Sequence, residues 1–297
     1  MAYKRILTIQ DISCVGQCSM TVALPILSAC GHEACVLPTA LLSTHTGGFG
    51  KPAVVHFDDM LDAMWRHWQE NAVTFDAILV GYLGSVAAVE TASKIIKAML
   101  APGGISIVDP AMADHGKRYS GFDEQYARTM GALCRKADVI LPNITEAAML
   151  SGCPYREDLD EGYVSGLLDA LDHPCVVLTG VGYRPGETGV LLRKGMKQQY
   201  YAHPRIGKSY HGTGDMFAAC FTGAYMQEKS LMEAVRIAAD FVCRSIANTE
   251  QNPAHWYGVK FETALPELIR RLQEGKKWVP GVYNGSENFS ESPFHFF

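Results

Sequence analysis

The sequence predicts a three-layer α/β/α fold with a doubly wound, mostly parallel β-sheet. Short, continuous apolar segments alternate with longer amphipathic segments along the first 180 residues. Continuous apolar runs are typical of strands that are covered on both faces, and amphipathic helices are the usual connections between parallel strands. No internal repeat and no interdomain linker interrupts this order.

The pattern assigns an element to most of the chain. Parallel strands are predicted at residues 4–10, 34–38, 76–81, 104–109, 138–141 and 175–179. Helices are predicted between them at residues 17–30, 59–71, 86–100, 123–136 and 157–171. A hairpin at the sheet edge follows at 189–193 and 198–202, and further helices are predicted at 213–227, 231–249 and 261–274.

The last part of the chain differs from the rest. Residues 276–297 show neither helical nor strand periodicity and end in a cluster of aromatic residues. We therefore expect a single domain over residues 1–275 and a C-terminal tail, residues 276–297, outside the core fold.

Composition and charge exclude several classes of protein. With 48% hydrophobic residues, 19% charged residues and a net charge of -5, the chain is not a disordered protein and lacks the basic surface of a nucleic-acid-binding protein. No apolar stretch reaches the length of a membrane span, and the run after the N-terminus is too short for a signal peptide. We therefore expect a cytoplasmic protein without nucleic-acid or membrane partners, in which the nine cysteines form no disulfides.

Polar residues collect where the predicted strands end. Ligands of open α/β sheets bind outside the carboxyl ends of the strands, so these positions are candidates for a site. Helix N-caps use the same residue types, which is the alternative interpretation of each. Among them, Asp109, Asp114 and Glu146 suit Mg²⁺, because that ion prefers one or two carboxylates with water and phosphate oxygens.

The sharpest local signal is Tyr-His-Gly-Thr-Gly-Asp at residues 210–215, which leads into a predicted helix. A glycine-rich loop at a helix N-terminus binds anions through its unpaired N–H groups, although an ordinary helix start capped by Thr213 or Asp215 would look similar. Together with the acids, this loop predicts phosphoryl transfer from a nucleotide. The chain lacks GxxxxGK(S/T), which excludes a P-loop enzyme, and the absence of GxGxxG after the first strand disfavours a dinucleotide dehydrogenase.

Residues 212–219, Gly-Thr-Gly-Asp-Met-Phe-Ala-Ala, resemble the signature of the ribokinase-like superfamily. Five other segments narrow the resemblance to pyridoxal and pyridoxamine (vitamin B6) kinases, namely residues 9–10, 43–47, 81–85, 109–112 and 142–146. These matches follow the family's order and cover about residues 4–273. The resemblance implies a ribokinase-like fold and a kinase that uses ATP and Mg²⁺ to phosphorylate the 5′-hydroxymethyl group of a B6 vitamer.

The resemblance also implies the roles of individual residues. Asp215 corresponds to the catalytic base, and its place at a helix N-terminus favours the ionised form. The anion hole for the transferred phosphoryl group corresponds to Gly212, Thr213 and Gly214. These three also contact ATP, as do Asp114, Asn143, Glu146 and Thr179, and the Mg²⁺ ligands are Asp114 and Glu146. The substrate pocket combines Asp215 with Asp11, His45, Thr46, Tyr82 and Tyr119.

Three departures from the pyridoxal kinase pattern leave alternatives open. Asp11 stands where well-known pyridoxal kinases have a serine, so the preferred vitamer is open. Leu141 replaces a threonine that helps to bind a monovalent cation in some members, so a K⁺ requirement is open as well. His211 before Gly-Thr-Gly resembles hydroxymethylpyrimidine (thiamin-precursor) kinases, so such a kinase, or one that acts on both substrates, is the first alternative.

The class of protein and its oligomeric state are open as well. A non-catalytic protein that binds a vitamer or a nucleotide could keep the same fold, because a fold does not prove a function. A sugar or nucleoside kinase is a poorer match, since the chain lacks their N-terminal glycine-rich motif. The family commonly dimerises through the sheet edge, so the resemblance implies a homodimer.

Overall fold

A computed structural model describes residues 3–207, 210–252 and 254–274. The strands in chain order are β1 (Arg5–Ser13), β2 (Glu33–Leu42), β3 (Val54–His56), β4 (Phe75–Val80), β5 (Leu100–Val108), β6 (Ala113–Asp114), β7 (Lys117–Arg118), β8 (Val139–Ile140), β9 (Cys175–Thr179), β10 (Glu187–Lys194) and β11 (Lys197–Pro204). The α-helices are α1 (Met20–Ala29), α2 (Asp58–Glu70), α3 (Val86–Met99), α4 (Glu124–Cys134), α5 (Ile144–Ser151), α6 (Glu161–Leu171), α7 (Thr213–Met226), α8 (Leu231–Glu250) and α9 (Leu265–Gln273).

One large sheet forms the middle layer. Its strand order is β11-β10-β9-β8-β5-β4-β1-β2-β3, and β6 pairs with β7 in a small separate hairpin. The six strands from β9 to β2 in this order pair in parallel, while β3, β10 and β11 pair antiparallel at the two edges. The carboxyl ends of the central strands therefore meet along one edge of the sheet, as the sequence predicts.

Helices cover both faces of the sheet and enclose two hydrophobic cores. One core is formed with residues of α1, α7, α8 and α9, and the other with residues of α2 to α6. Side chains alternate between the two cores along a strand: Ile6 belongs to the first and Leu7 to the second, and both are fully buried. The predicted three-layer α/β/α class is confirmed.

The structure corrects several predicted boundaries. β1 does not end before Asp11, because its pairing with β2 shifts register between Gln10 and Ile12 and then continues to Ser13. α1 begins at Met20 and not at residue 17, and α6 begins at Glu161 and not at residue 157. The helix predicted at 261–274 is a 3₁₀ turn, Phe261–Ala264, followed by α9.

Some elements are absent from the sequence prediction. β3, with the sequence Val-Val-His, has three residues, all exposed, and is too short for a strand pattern to reveal it. α5 starts with a capping box in which Asn143 and Glu146 bind each other's backbone N–H groups. The sequence offers that motif, but the helices predicted above leave residues 144–151 unassigned.

Three expectations concern the chain as a whole. All nine cysteines are free thiols. Within the part of the chain that the structure describes, no helix is long and apolar enough to cross a membrane. The predicted tail, residues 276–297, lies outside the described residues, so the domain boundary near residue 275 stays a prediction.

Candidate active site

The candidate site lies where the ends of the parallel strands face the N-terminus of α7. Backbone hydrogen bonds join the strand-end segments, with Asp109 N–H donating to the Val80 carbonyl at 2.9 Å and Thr179 N–H to the Pro142 carbonyl at 3.0 Å. A helix N-terminus that points at this edge adds unpaired N–H groups to a place where strands already deliver polar side chains. Two separate sequence signals, the strand ends and the 210–215 loop, therefore meet in space.

The predicted anion loop begins α7. Gly212 is the N-cap residue, with φ 81°, and a Cβ at this position would lie 2.3 Å from the Gln17 carbonyl oxygen. Glycine is therefore required here for both conformation and space. The Thr213 hydroxyl donates to the Tyr210 carbonyl at 3.1 Å, which closes the loop, and the exposed Gly214 follows it. This geometry leaves the first N–H groups of α7 available to an anion.

Asp215 lies in the first turn of α7, and its Oδ2 accepts a hydrogen bond from Ser19 N–H at 2.9 Å. Burial raises the pKa of Asp215 to about 7, the Ser19 N–H opposes this, and the nearby Asp11 adds to it. The expected stabilisation of the ionised form by the helix N-terminus is thus outweighed by burial. A carboxylate with a pKa near neutrality is a stronger base than one with an ordinary pKa.

Two further carboxylates lie behind the loop. Glu146 accepts N–H groups from Met112 at 2.9 Å, Ala113 at 3.4 Å and Asn143 at 2.9 Å, so both of its oxygens are hydrogen bonded. Burial raises the pKa of Glu146 to about 7 although these donors lower it. Asp109 is also buried, and burial together with Glu146 and Asp215 raises its pKa well above the usual value. These three acids form one electrostatic group.

The other residues predicted to contact ATP or metal lie around this group. Asn143 caps α5 and donates its Nδ2 to the Ala113 carbonyl at 2.8 Å. Thr179 ends β9, where its hydroxyl lies 3.4 Å from the Pro142 carbonyl. Asp114 is exposed, and one of its oxygens accepts His115 N–H at 2.8 Å. Among the described residues no cluster of three or more histidine, cysteine or acidic side chains is arranged to hold a metal ion by itself.

Each of the two predicted pocket tyrosines lies near a carboxylate, Tyr82 near Asp11 and Tyr119 near Glu146 and Asp114. Burial and the charge of Asp11 raise the pKa of Tyr82 to about 12, and its ring lies 5.2 Å from that of Phe122. Tyr119 is 40% exposed, and partial burial together with Glu146 and Asp114 raises its pKa. Both phenols therefore stay protonated at neutral pH and can donate hydrogen bonds to a ligand.

The loop that carries His45 and Thr46 covers the start of the α7 loop. The rings of His45 and His211 are 4.5 Å apart, and burial followed by the charge of His211 lowers the pKa of His45. His45 Nδ1 accepts Gly47 N–H at 2.9 Å, so the proton of the neutral ring is on Nε2. Thr46 is exposed. His45 is therefore a neutral hydrogen-bond donor beside the anion loop.

Asp11 and Ser19 depart most from the sequence prediction. Asp11 is 3% exposed, so a substrate meets little of its side chain in this conformation. Ser19 was not predicted at all, although its N–H is the group that holds Asp215. No sequence signal could have found it, because a backbone donor leaves no mark on residue type.

Comparisons with known proteins show which family has this sequence pattern and this fold. A sequence model of the family described as phosphomethylpyrimidine kinase matches residues 24–259. The chain belongs to the phosphomethylpyrimidine kinase family. That segment contains α7 and its loop, and all the predicted site residues apart from Asp11. Together with the pyridoxal kinases described next, this match confirms the resemblance to vitamin B6 kinases that the motifs predicted.

Individual known proteins are similar to this chain over nearly its whole length. The pyridoxal kinase of Lactobacillus plantarum is 33% identical with a TM-score of 0.85, covering 92% of this chain and 99% of its own. A Bacteroides thetaiotaomicron protein solved with pyridoxal is also 33% identical, with a TM-score of 0.84 over 90% and 96% of the two chains. The pyridoxine/pyridoxal/pyridoxamine kinase of Bordetella avium is 28% identical over 93% of each chain.

Proposed function

We propose that this kinase transfers the γ-phosphoryl group of ATP to the 5′-hydroxymethyl group of a vitamin B6 vitamer. The observation that carries the proposal is the placement of Asp215, a carboxylate with a pKa near neutrality, directly after the Gly212–Gly214 anion loop. Relatives that share this architecture over most of the chain are pyridoxal kinases. The arrangement suits an alcohol as acceptor, because an alcohol must lose a proton as it attacks phosphorus.

Phosphoryl transfer needs positioning and charge neutralisation more than covalent chemistry. The N–H groups of Gly212 to Asp215 would meet the equatorial oxygens of the transferred group as its charge redistributes. Asp215 would orient the vitamer hydroxyl and take its proton late in the reaction. Ser19 N–H holds the Oδ2 atom of Asp215 at 2.9 Å, which fixes the direction in which Oδ1 points.

Mg²⁺ fits the donor set at the strand ends. Asp114 offers an exposed carboxylate. Asp109 lies beside the anion loop, because its Oδ2 is 3.9 Å from the position that a Cβ atom on Gly214 would occupy. Mg²⁺ is bound in proteins by one or two carboxylates, with waters and phosphate oxygens completing the octahedron. When bound, the ion would neutralise phosphate charge. Glu146 would support the ion indirectly. Its carboxylate accepts the N–H groups of Met112 and Ala113 and so would hold residues 112–114, including Asp114, in place.

Glu146→Gln is therefore expected to raise the Mg²⁺ concentration that gives half-maximal velocity by about tenfold, the lower end of effects seen for supporting groups of metal sites. The glutamine side chain carries no negative charge. Its NH₂ group would also face backbone N–H groups, which donate hydrogen bonds and cannot accept one from it. The measurement is a Mg²⁺ titration of the initial rate at fixed ATP. Glu233→Gln is the matched control, because Glu233 occupies the same capping-box position at α8, away from the site. Overlaying titrations of Glu146→Gln and the parent would remove Glu146 from the metal site.

Substrate choice is tested by comparing vitamers directly. ADP release would be measured with pyridoxal, pyridoxamine, pyridoxine and hydroxymethylpyrimidine at equal concentrations. We expect kcat/KM for the best B6 vitamer to exceed that for hydroxymethylpyrimidine by at least about 10-fold, the scale on which pocket contacts discriminate. His45, Thr46, Tyr82 and Tyr119 are the residues proposed to line this pocket.

The second candidate function is a hydroxymethylpyrimidine kinase. It is favoured by the description of the matching family and by His211, which stands next to His45 at 4.5 Å. Preferential turnover of hydroxymethylpyrimidine in the same assay would establish it. Binding of a vitamer without ADP release would instead establish a non-catalytic protein.

A homodimer is expected from the resemblance, with its size measured in solution. A cytoplasmic location stays an expectation from the sequence. A monovalent cation is a candidate cofactor, although the buried Leu141 contributes no side-chain oxygen near the strand end. Comparing rates in K⁺ and in a large organic cation would test that requirement.

A further inference from the structure

Residues 254–260 connect α8 to the 3₁₀ turn that precedes α9, and they contact two loops of the candidate site. The C-terminal end of this connecting segment is fixed in place. Lys260 N–H donates to the hydroxyl of the buried Thr249 at 2.9 Å, and Val259 is buried in the core formed with α1, α7, α8 and α9. Its middle lies at the surface, where Trp256 is 52% exposed. The segment is therefore anchored in the core and presents an aromatic side chain at the surface.

Aromatic rings join the connecting segment to the loop that carries His45 and Thr46. The centroid of the Phe49 ring lies 4.6 Å from that of Trp256 and 5.1 Å from that of Tyr257. The rings of Trp256 and Tyr257 also contact each other, with their centroids 5.2 Å apart and their planes at 76°. Tilted and edge-to-face pairs of this kind are the arrangements that aromatic side chains prefer. Two rings of the connecting segment therefore hold Phe49.

The backbone of the same loop lies close to several rings. Gly48 has φ 87°, and a Cβ atom there would lie 2.8 Å from Cζ3 of Trp256. A Cβ atom on the preceding Gly47 would lie 2.6 Å from His45 Cε1 and 2.6 Å from His211 Nε2. Glycine permits such a close approach, because it has no Cβ. The indole of Trp256 therefore lies against the loop one residue away from the point where the loop meets the two histidines.

The tip of this loop has little other support. The base of the loop is held by Ser43, whose N–H donates to the Ala53 carbonyl at 2.9 Å and whose hydroxyl accepts Ala53 N–H at 3.0 Å. Within the part of the chain that the structure describes, neither Gly48 nor Phe49 makes a hydrogen bond. The position of the tip therefore depends on the contacts with the aromatic rings.

The connecting segment is itself held against the Cys14–Ser19 segment between β1 and α1. Gly258 has φ 59°, and a Cβ atom there would lie 3.0 Å from the Cβ of Gln17. Just beyond the connecting segment, Glu262 Oε1 accepts a hydrogen bond from Gln17 Nε2 at 2.6 Å. This second contact fixes the connecting segment beside the site, so it can support the loop that carries Phe49.

We propose that Trp256 is a positioning residue for the vitamer pocket: it holds Phe49, and through Phe49 the loop that presents His45 and Thr46 to the substrate. The inference rests on the proposed function, because it gives Trp256 a part in vitamer binding. Ligand-binding loops belong to the less stable parts of a structure. The apparent affinity for a ligand falls with the fraction of molecules in the binding-competent conformation, so support for the loop raises the affinity for the vitamer.

Trp256→Ala is expected to raise the KM for pyridoxal by about 5- to 10-fold, the range over which aromatic pairs favour one arrangement. The kcat and the KM for ATP should stay within about twofold of the parent's values, because the variant loses only vitamer binding. Trp256→Phe keeps a ring beside Phe49 and should recover most of the loss. The measurement is steady-state ADP release, with pyridoxal and ATP varied in turn.

Phe49→Ala tests whether the two rings act together, and it is the second variant if Trp256→Ala does not fold. It should also raise the KM for pyridoxal. If Trp256 acts through Phe49, the double alanine variant should show the same KM as Phe49→Ala alone. Tyr3→Ala is the matched control: Tyr3 is an aromatic residue with 73% exposure that precedes β1, at the edge of the sheet opposite the site. Its loss should leave the KM for pyridoxal at the parent's value.

A KM for pyridoxal in Trp256→Ala equal to that of Tyr3→Ala would overturn the inference. Effects of Trp256→Ala and Phe49→Ala that multiply in the double variant would do the same, because the two rings would then act independently. If the parent releases no ADP with any vitamer, the proposed function fails and this inference fails with it. Turnover of vitamers by the parent, with an unchanged KM in Trp256→Ala, refutes the role of Trp256 alone.

Discussion

Asp215→Asn is expected to lower kcat by about 10²–10⁴-fold, the usual contribution of a general base, with little change in the KM for ATP. Asparagine keeps an oxygen that can accept Ser19 N–H, so the side chain stays in place. It cannot accept the proton of the vitamer hydroxyl. Steady-state ADP release, with ATP and pyridoxal each varied, separates the loss of kcat from any loss of binding.

The control for this variant is Asp160→Asn. Asp160 is also at a helix N-terminus, where it caps α6 by accepting Tyr163 N–H at 2.7 Å, and it is exposed. Asparagine caps helices as well as aspartate does, so both stability and kcat should stay at the parent's values. A kcat for Asp215→Asn equal to that of Asp160→Asn would remove Asp215 from the mechanism.

Gly212→Ala is expected to lower kcat by about 10²–10³-fold, the cost of losing one donor from an oxyanion hole. The added Cβ would lie 2.3 Å from the Gln17 carbonyl oxygen, and φ is 81°. Either the loop or the 14–19 segment must move, and each movement misplaces an N–H group that the reaction needs. Because the 14–19 segment also carries Ser19, whose N–H binds Asp215, its movement should misplace the carboxylate of Asp215 as well.

Gly152→Ala separates the conformational cost from the clash. Gly152 ends α5 with φ 74°, and a Cβ there meets nothing within 4 Å. Both alanines carry the penalty of a left-handed backbone, about 1 kcal/mol, but Gly152→Ala should keep full activity. Thermal unfolding would show that both variants are folded at the assay temperature. Equal kcat values for the two alanine variants would contradict the role given to Gly212.

The fold and much of the site could be predicted from the sequence for physical reasons. A strand covered on both faces must be apolar throughout, so DAILVG and CVVLT reveal β4 and β9 directly. A backbone that must approach a phosphate needs glycine, so the loop at Gly212 also leaves a signal. Because parallel strands end at the same edge of a sheet, placing Asn143, Glu146 and Thr179 together required no long-range information.

The features of the site that could not be predicted depend on distances between residues, which residue types do not encode. The charge state of Asp215 is a balance between the helix N-terminus, which favours ionisation, and burial, which opposes it. The sequence reveals the first effect but not the second. Ser19 contributes a backbone N–H, which every residue except proline has. Asp11 belongs to β1 because pairing with β2 continues past a register shift, so a prediction from the sequence of β1 alone ended the strand too early.

The helix that carries Asp215 is also deeply enclosed in one core. All nine residues from Met216 to Ala224 are buried, so α7 is enclosed on every side after its first turn. A helix surrounded in this way cannot shift to follow a substrate, and the parts that adjust must be the surface loops around it. Thermal robustness and catalytic alignment therefore depend on the same stretch of helix. Directed evolution for a new acceptor alcohol should leave this helix unchanged and vary the loops, where a change in selectivity need not weaken the fold.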